Sequence, residues 1–188
     1  MDAAETRNMS EDEVRLIQRA KQGDPTAFAE LYDLHQPAIY RYIFYQVSDA
    51  ATAEDLTSEV FVRLVEKIDH FTYRGRPLRA WLYTIARNLV TDYHRRAGRF
   101  PSFPLDERLM ADIDTPEETA EQRAAQRRLA AAIARLTEDQ RQVILLKFIQ
   151  GLDNKTAAQV LNKSIGAVKA LQHRGLAALR RIFEQNGN

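Results

Sequence analysis

The sequence of 188 residues contains no cysteine, which excludes a disulfide framework and any thiolate metal site and fits a reducing compartment. Its four histidines, His35, His70, His94 and His173, stand at no metal-ligand spacing. Neither a phosphate-binding glycine loop nor a nucleophile motif occurs, and Asp92-Tyr93-His94 alone defines no catalytic centre. No uninterrupted apolar run is long enough to span a bilayer. The opening residues, Met1 to Arg7, lack the basic and then apolar pattern of a signal peptide. These absences lead to the expectation of a cytoplasmic, non-enzymatic chain with no cofactor, no metal, no small-molecule substrate and no insertion into a membrane.

What is present is enough apolar material for real cores, at 45% hydrophobic residues, and an uneven distribution of charge. The formal net charge of +1 conceals two basic blocks. Nine Lys/Arg stand against three Asp/Glu between Val60 and Arg99, and twelve against three between Arg123 and Phe183. Between them, Phe100 to Gln122 holds seven acids and one arginine. Basic blocks point to nucleic acid as the partner.

Apolar spacing reads as helix after helix. Ser10 and Glu13 have the spacing of a capping box before a helix carrying Val14, Ile17 and Ala20, which Gly23 ends. Asp24-Pro25 opens a second helix with Phe28, Leu31, Tyr32 and His35 on one side, kinked at Pro37 and continuing through Ile39, Tyr42 and Ile43. Thr52 is placed to cap a third, which buries Leu56, Val60, Leu64 and Ile68 and turns Asp55, Glu59, Val62, Arg63 and Glu66 outward. After a loop from His70 to Pro77, a fourth helix carries Leu78, Leu82, Ile85 and Leu89 as its inner stripe, with Gly98 at its stop. Phe100 to Gln122, with three of the six prolines, many acids and no apolar period, reads as a flexible linker. A second helical domain follows, in which Thr137 to Gln140 is a capping box, Asp153 and Ser164 cap further helices, and Asn162 takes a left-handed turn position. The expected fold is therefore all-α: a tail over 1–12, a first domain over 13–97, a linker over 98–122 and a second domain over 123–188.

Lys155 to Lys169 has the layout of a helix-turn-helix. Ala158 is small where two helices cross, and Val160, Leu161, Ile165 and Val168 close a small core. The outward side of the last helix then offers Ala167, Lys169, Ala170, His173 and Arg174, small residues beside donors suited to phosphates and base edges. Spacing alone equally describes a plain helical hairpin with a solvated charged face. The excess of basic residues favours DNA.

The stretch from Leu136 through Phe148, Gly151-Leu152, Ala157 to Leu161, Ser164 to Lys169 and His173-Arg174 resembles the fourth conserved region of bacterial sigma factors. Asn162 stands where that family often has glycine, and Leu171-Gln172 replaces a frequent basic residue followed by leucine; Leu171 is expected to take a core seat three residues after Val168. Ala53 to Phe61 is similar to the helix with which sigma factors grip the clamp helices of the polymerase's largest subunit. Arg76 to Arg96 resembles the part that opens the promoter. The resemblance, and in particular that to the extracytoplasmic-function group, implies binding to core RNA polymerase through Asp55, Leu56, Ser58 and Glu59. It implies minus-ten DNA contacts from Tyr73, Arg74, Arg76, Tyr83, Arg87, Asn88, His94, Arg95 and Arg96, with Phe71 to Arg76 helping to form a pocket for a flipped base. Minus-thirty-five contacts fall to Lys155, Thr156, Ser164, Ala167, Lys169, Ala170, His173 and Arg174. Helical spacing places Tyr83, Arg87, Thr91, His94 and Arg95 opposite the buried stripe, and aromatic and basic residues on one exposed face suit single-stranded DNA. Trp81 and Phe71 serve equally well as core aromatics, and Asn88 and Asp92 as structural hydrogen-bonding residues. The resemblance also implies an anti-sigma protein as regulatory partner and a linker that runs through polymerase channels; a simple tether explains the linker's composition as well. The competing function is a helix-turn-helix regulator that acts on DNA without polymerase, which would need a ligand or dimer module in place of the first domain.

Overall fold

A computed structural model describes residues 11–73, 76–96 and 120–186, and every regular element in them is helical. The N-terminal helices are α1 (Glu11–Lys21), α2 (Pro25–Val47), α3 (Ala50–Lys67) and α4 (Leu78–Arg96), with a short 3-10 turn over Ile68–His70 after α3. The C-terminal helices are α5 (Ala120–Ala134), α6 (Glu138–Ile144), α7 (Asn154–Leu161) and α8 (Ile165–Asn186). A π-helical stretch over Leu145–Ile149 continues α6. Ser10, Arg74, Gly98 and nearly all of the acidic linker lie outside the described residues.

The boundaries follow from local chemistry. Asp24 caps α2, its carboxylate accepting the Thr26 and Ala27 N–H groups, with Pro25 at a position whose missing N–H costs no helical bond. Gly23, at φ +81°, makes the left-handed reversal between α1 and α2. Asp49, and not Thr52, caps α3: its carboxylate accepts the Thr52 N–H at 2.7 Å, so Thr52 already sits inside the first turn. In the second half the capping box of α6 pairs Thr137 with Gln140. Asp153 caps α7 through the Thr156 N–H at 2.8 Å, and the Ser164 hydroxyl accepts the Ala167 N–H at 3.1 Å at the start of α8. Asn162 occupies the left-handed region at φ 52°, as a short polar side chain tolerates.

α2 is the central rod of the N-terminal half and packs on α1, α3 and α4. Its fully buried Leu31, Ile39, Ile43 and Phe44 meet Val60 and Leu64 of α3 and Leu78 and Leu82 of α4 in the core. In the C-terminal half α6 packs along α8 and α7 against α8, around Ile133, Val143, Leu145, Leu146, Val160 and Val168. Arg141 is buried because its guanidinium donates to the carbonyls of Ala134 and Leu136 at the end of α5, groups that the helix itself leaves unbonded. Leu171 takes its core seat, whereas Ile165, expected inside, is 45% exposed as the first residue of α8. The two halves also touch, with α7 against α4 and α5 and the π-helical stretch against α2.

Candidate polymerase and nucleic-acid interfaces

The outer side of α3 is open to solvent. Asp55, Ser58, Val62 and Glu66 are exposed along it and Leu56 and Glu59 are half-buried; Glu59 accepts an ion pair from Arg63 at 2.8 Å. Val65, which the sequence reading passed over, is 53% exposed beside Val62. The signal for it was its place one turn after Val62, in a row of acids that otherwise has no reason to carry aliphatic side chains. An apolar strip flanked by carboxylates suits a partner helix that carries both apolar and basic residues. Where α3 passes α4, a cavity of about 630 Å³ is lined by Leu56, Glu59, Arg63, Leu89, Asp92, Tyr93 and Arg96, so charges of both signs ring an apolar floor.

A second cavity, of about 310 Å³, lies at the start of α4 between Lys67, His70, Phe71, Thr72, Arg76 and Trp81. Phe71 is buried and Trp81 half-buried, their rings stacked with centroids 5.3 Å apart and planes 28° off parallel. Both therefore belong to the packing and to the cavity wall together. Arg76 donates to the Thr84 hydroxyl and, by burial first and then the field of Arg87, has a pKa below the usual guanidinium range. Tyr73 is exposed on the loop nearby, and Arg74 lies outside the described residues. An aromatic wall facing cations is a shape in which one base stacks and its phosphate is neutralised.

The rest of the α4 face differs from expectation. Tyr83, expected to be exposed, is 3% accessible: its ring meets Tyr42 edge-on at 5.2 Å, and its O–H donates to Gln150 of the C-terminal half at 2.9 Å. Arg87 is half-buried and donates to the Val160 carbonyl at 2.7 Å and to Asn88 at 3.2 Å. His94 is half-buried with its Nε2 3.1 Å from the Gln46 carbonyl. Burial, and to a lesser extent Arg141, lower its pKa, against the raising effects of the Gln46 carbonyl and Glu138. These side chains do lie opposite the α4 stripe that packs inside the N-terminal half. Other helices cover them, α2 through Tyr42 against Tyr83 and Gln46 against His94, and the C-terminal half through Gln150 and Val160, which periodicity within one helix does not reveal. Asn88, Thr91, Arg95 and Arg96 remain exposed, and Arg95 pairs with Asp92 at 2.9 Å.

In the helix-turn-helix, Ala158 is buried at the crossing and Lys169, Ala170, His173 and Arg174 are exposed on one side of α8, with Ala167 half-buried among them. Lys155 is exposed at the start of α7 and Ser164 at the turn. Thr156 does not join this surface as expected. It is buried, and its hydroxyl donates to the Asp153 carboxylate at 2.8 Å, so it holds the cap that starts α7. Among the described residues no group of three or more His, Cys, Asp or Glu is placed to hold a metal ion.

Residues 31–100 match the family model for Sigma-70 region 2, and residues 126–179 match that for Sigma-70, region 4. Sequence relatives match across both segments. The chain is 41% identical over 174 residues to the ECF RNA polymerase sigma factor BldN of Streptomyces coelicolor, covering 90% of this chain and 65% of that protein. It is 37% identical over 164 residues to the ECF RNA polymerase sigma factor SigX of Bacillus subtilis, covering 84% of each. This chain belongs to the ECF sigma factors. Among solved structures, CnrH in complex with the cytosolic domain of CnrY superposes with a TM-score of 0.71 at 25% identity, over 93% of this chain and 97% of that one. The two family segments of this sigma factor fall on α2–α4 and on α5–α8, the elements that carry the surfaces described above.

One feature of this sigma factor escaped the sequence reading altogether. Gln46, Gln142 and Gln150 sit between the two halves: the Tyr42 O–H donates to Gln142, Gln142 donates to Gln46, and Gln46 donates back to the Tyr42 carbonyl. The only signal for it was three glutamines at positions where apolar residues would continue the local stripe.

Proposed function

We propose that this ECF sigma factor is a non-enzymatic, cytoplasmic subunit that binds core RNA polymerase through the outer face of α3. On this reading α4 and the loop before it read and open the minus-ten element, and the exposed face of α8 reads the minus-thirty-five element. The division into a domain over 13–97, a linker over 98–122 and a domain over 123–188 is part of the same proposal. The observation that carries it is the presence in one chain, in family order, of a region 2 segment with an exposed acidic and apolar helix face and a region 4 segment ending in a helix-turn-helix with an exposed basic face. A regulator that works without polymerase has no use for the first of these. The polymerase contacts are assigned to Asp55, Leu56, Ser58 and Glu59, joined by Val62 and Val65. Minus-ten contacts are assigned to Tyr73, Arg76, Asn88, Arg95 and Arg96 in the chain as it stands, to Arg74, which lies outside the described residues, to half-buried His94, and to Tyr83 and Arg87 once the C-terminal half has moved off them. Lys155, Ser164, Ala167, Lys169, Ala170, His173 and Arg174 are assigned to the minus-thirty-five element, with Thr156 supporting them from inside. The resemblance of the fold to CnrH, solved in complex with the cytosolic domain of CnrY, supports a protein partner here, the expected anti-sigma factor.

The test is transcription by the reconstituted holoenzyme carrying Tyr83→Ala and Arg87→Ala. Loss on a duplex promoter, with activity retained on a promoter whose minus-ten segment is already unpaired, is the expected result for residues that open the strands. No loss on either template removes both residues from the site.

A further inference from the structure

Lys21 belongs to none of the faces assigned above, and it precedes the matched region 2 segment, which begins at residue 31. Its side chain nevertheless ends at the loop that walls the cavity of about 310 Å³. From the last turn of α1, half-buried Lys21 reaches the end of the 3-10 turn after α3, where its Nζ donates to the Phe71 carbonyl at 2.5 Å and to the Asp69 carbonyl at 3.5 Å. Carbonyls at a helix end have no N–H from a following turn and carry the negative end of its dipole, so an ammonium is favoured there. α1 is itself fixed: Ile17 and Ala20 are buried where it packs on α2, Arg19 bonds Asp24 at 2.8 Å and Glu30 at 3.2 Å, and Glu13 faces His35 at 3.3 Å. What Lys21 holds is placed at the cavity. Phe71 gives its carbonyl to Lys21 and its ring to the stack with Trp81, and both rings line the wall. The far end of the loop has anchors of its own, since Arg76 donates to the Thr84 hydroxyl and the buried Leu78 opens α4. The near end is tied to α1.

We propose that Lys21 is a positioning residue for promoter reading: by holding the Phe71 carbonyl it sets the gap between the Phe71–Trp81 stack and Lys67 and Arg76, which line the same cavity, and so sets the pocket's preference among bases. The inference rests on the reading of this cavity as the pocket for an unpaired base and extends that site to α1. An aromatic stack accepts every base, because all have a π-face. Preference therefore comes from the fit of the remaining wall, and such groups must be held within about 0.5 Å of the productive geometry. A loop released from α1 at its near end keeps the stack's affinity for bases and loses that fit.

Trp81 is the chain's sole tryptophan, so its fluorescence reports this wall directly. Lys21→Met keeps an unbranched apolar stem and removes the donor, Lys21→Arg keeps donors at similar reach, and Lys21→Gln serves if the methionine variant folds poorly. Acrylamide quenching of Trp81 is measured on the full-length chain. Transcription by the reconstituted holoenzyme is measured on promoters whose minus-ten segment is already unpaired, with each of the four bases in turn at each nontemplate position. The proposal expects Lys21→Met to raise the quenching and to cut the preference for the favoured base at one position by roughly fivefold to tenfold, the weight of about one hydrogen bond. Preferences at the other minus-ten positions and at minus thirty-five should stay as they are, and Lys21→Arg should restore most of both losses. A uniform loss at every position makes Lys21 a merely structural residue and overturns the proposal. So does an unchanged preference, and so does a lost preference with native quenching, which places the effect away from this wall. Trp81→Leu and Arg76→Gln, on the wall itself, separate this failure from that of the pocket reading. If they move the preference at one position and Lys21→Met does not, the pocket stands and the role of Lys21 falls. If neither wall variant moves it, the base-pocket reading falls and the proposal with it.

Discussion

Gly175→Ala sets two sizeable effects against each other at the contact that aims α8. Gly175 is buried in mid-helix, and a Cβ there would stand 3.0 Å from Cγ1 and 3.2 Å from Cδ1 of Ile144, with the Gln140 Cβ at 3.6 Å. Alanine in a helix interior gains about 1 kcal/mol over glycine. Forcing a methyl group into a packed contact costs about 1–3 kcal/mol, and Ile144 is 2% exposed, enclosed on α6 with little freedom to withdraw. The expected net effect is a destabilisation of about 1 kcal/mol, or roughly 2–4 °C in Tm for a chain of this size. Thermal unfolding followed by circular dichroism measures it. Ile144→Ala removes both close atoms, so in that background Gly175→Ala should become neutral or stabilising, and the double-mutant cycle isolates the contact. A Tm raised by Gly175→Ala in the native background refutes the argument that α8 runs against α6 at glycine distance.

The other predictions concern the faces themselves. Asp55→Lys with Glu59→Lys should weaken core polymerase binding by roughly tenfold or more in a titration, with helical content unchanged, because exposed charges contribute little to folding; undiminished affinity removes α3 as the clamp contact. Lys155→Ala should weaken binding to all minus-thirty-five variants alike and lower the salt slope by about one phosphate contact. Lys169→Ala should instead cost about 1–3 kcal/mol on the preferred sequence and less on mismatched ones, and equal uniform losses for the two would make Lys169 another phosphate clamp. For His94, burial favours the neutral ring in the folded chain, and its Nδ1 is buried with no hydrogen-bond partner among the described residues. A histidine whose folded pKa is lowered keeps its full contribution above the free-histidine range near about 6.5 and loses it as pH falls through that range. Thermal stability should therefore drop on acidification below about pH 6.5, and His94→Asn should lessen that drop; an equal drop in the variant refutes the assignment to His94.

Much of this molecule was legible in its sequence because much of it is local. The caps at Asp24, Thr137, Asp153 and Ser164, the left-handed Asn162, the inner stripe of α4 and that of α3 apart from Leu56, which is only half-buried, depend on spacing within a few residues, and the structure has each of them. The outward sets on α3 and α8 followed from the same periodicity. The misreadings have two sources. Thr52 and Asp49 are both good capping residues three positions apart, and propensity alone does not choose between them. Tyr83, Arg87 and His94 were placed on the correct side of α4, but burial there depends on contacts with residues some fifty to seventy positions away in the chain, such as Gln150 and Val160, and no periodic pattern encodes those. Thr156 shows the limit of carrying a role from a family motif: its hydroxyl is committed to Asp153.

Whether this chain directs RNA polymerase to promoters is decided by transcription in vitro. Purified bacterial core polymerase would be supplied with the full-length chain on a library of random promoters, and the transcripts sequenced. A promoter-directing subunit yields transcripts that depend on the added chain and share two upstream motifs at fixed spacing, at minus ten and minus thirty-five. Transcripts no different from those of core polymerase alone, together with specific binding of duplex DNA by the chain without polymerase, would contradict the promoter-directing role and favour a helix-turn-helix regulator.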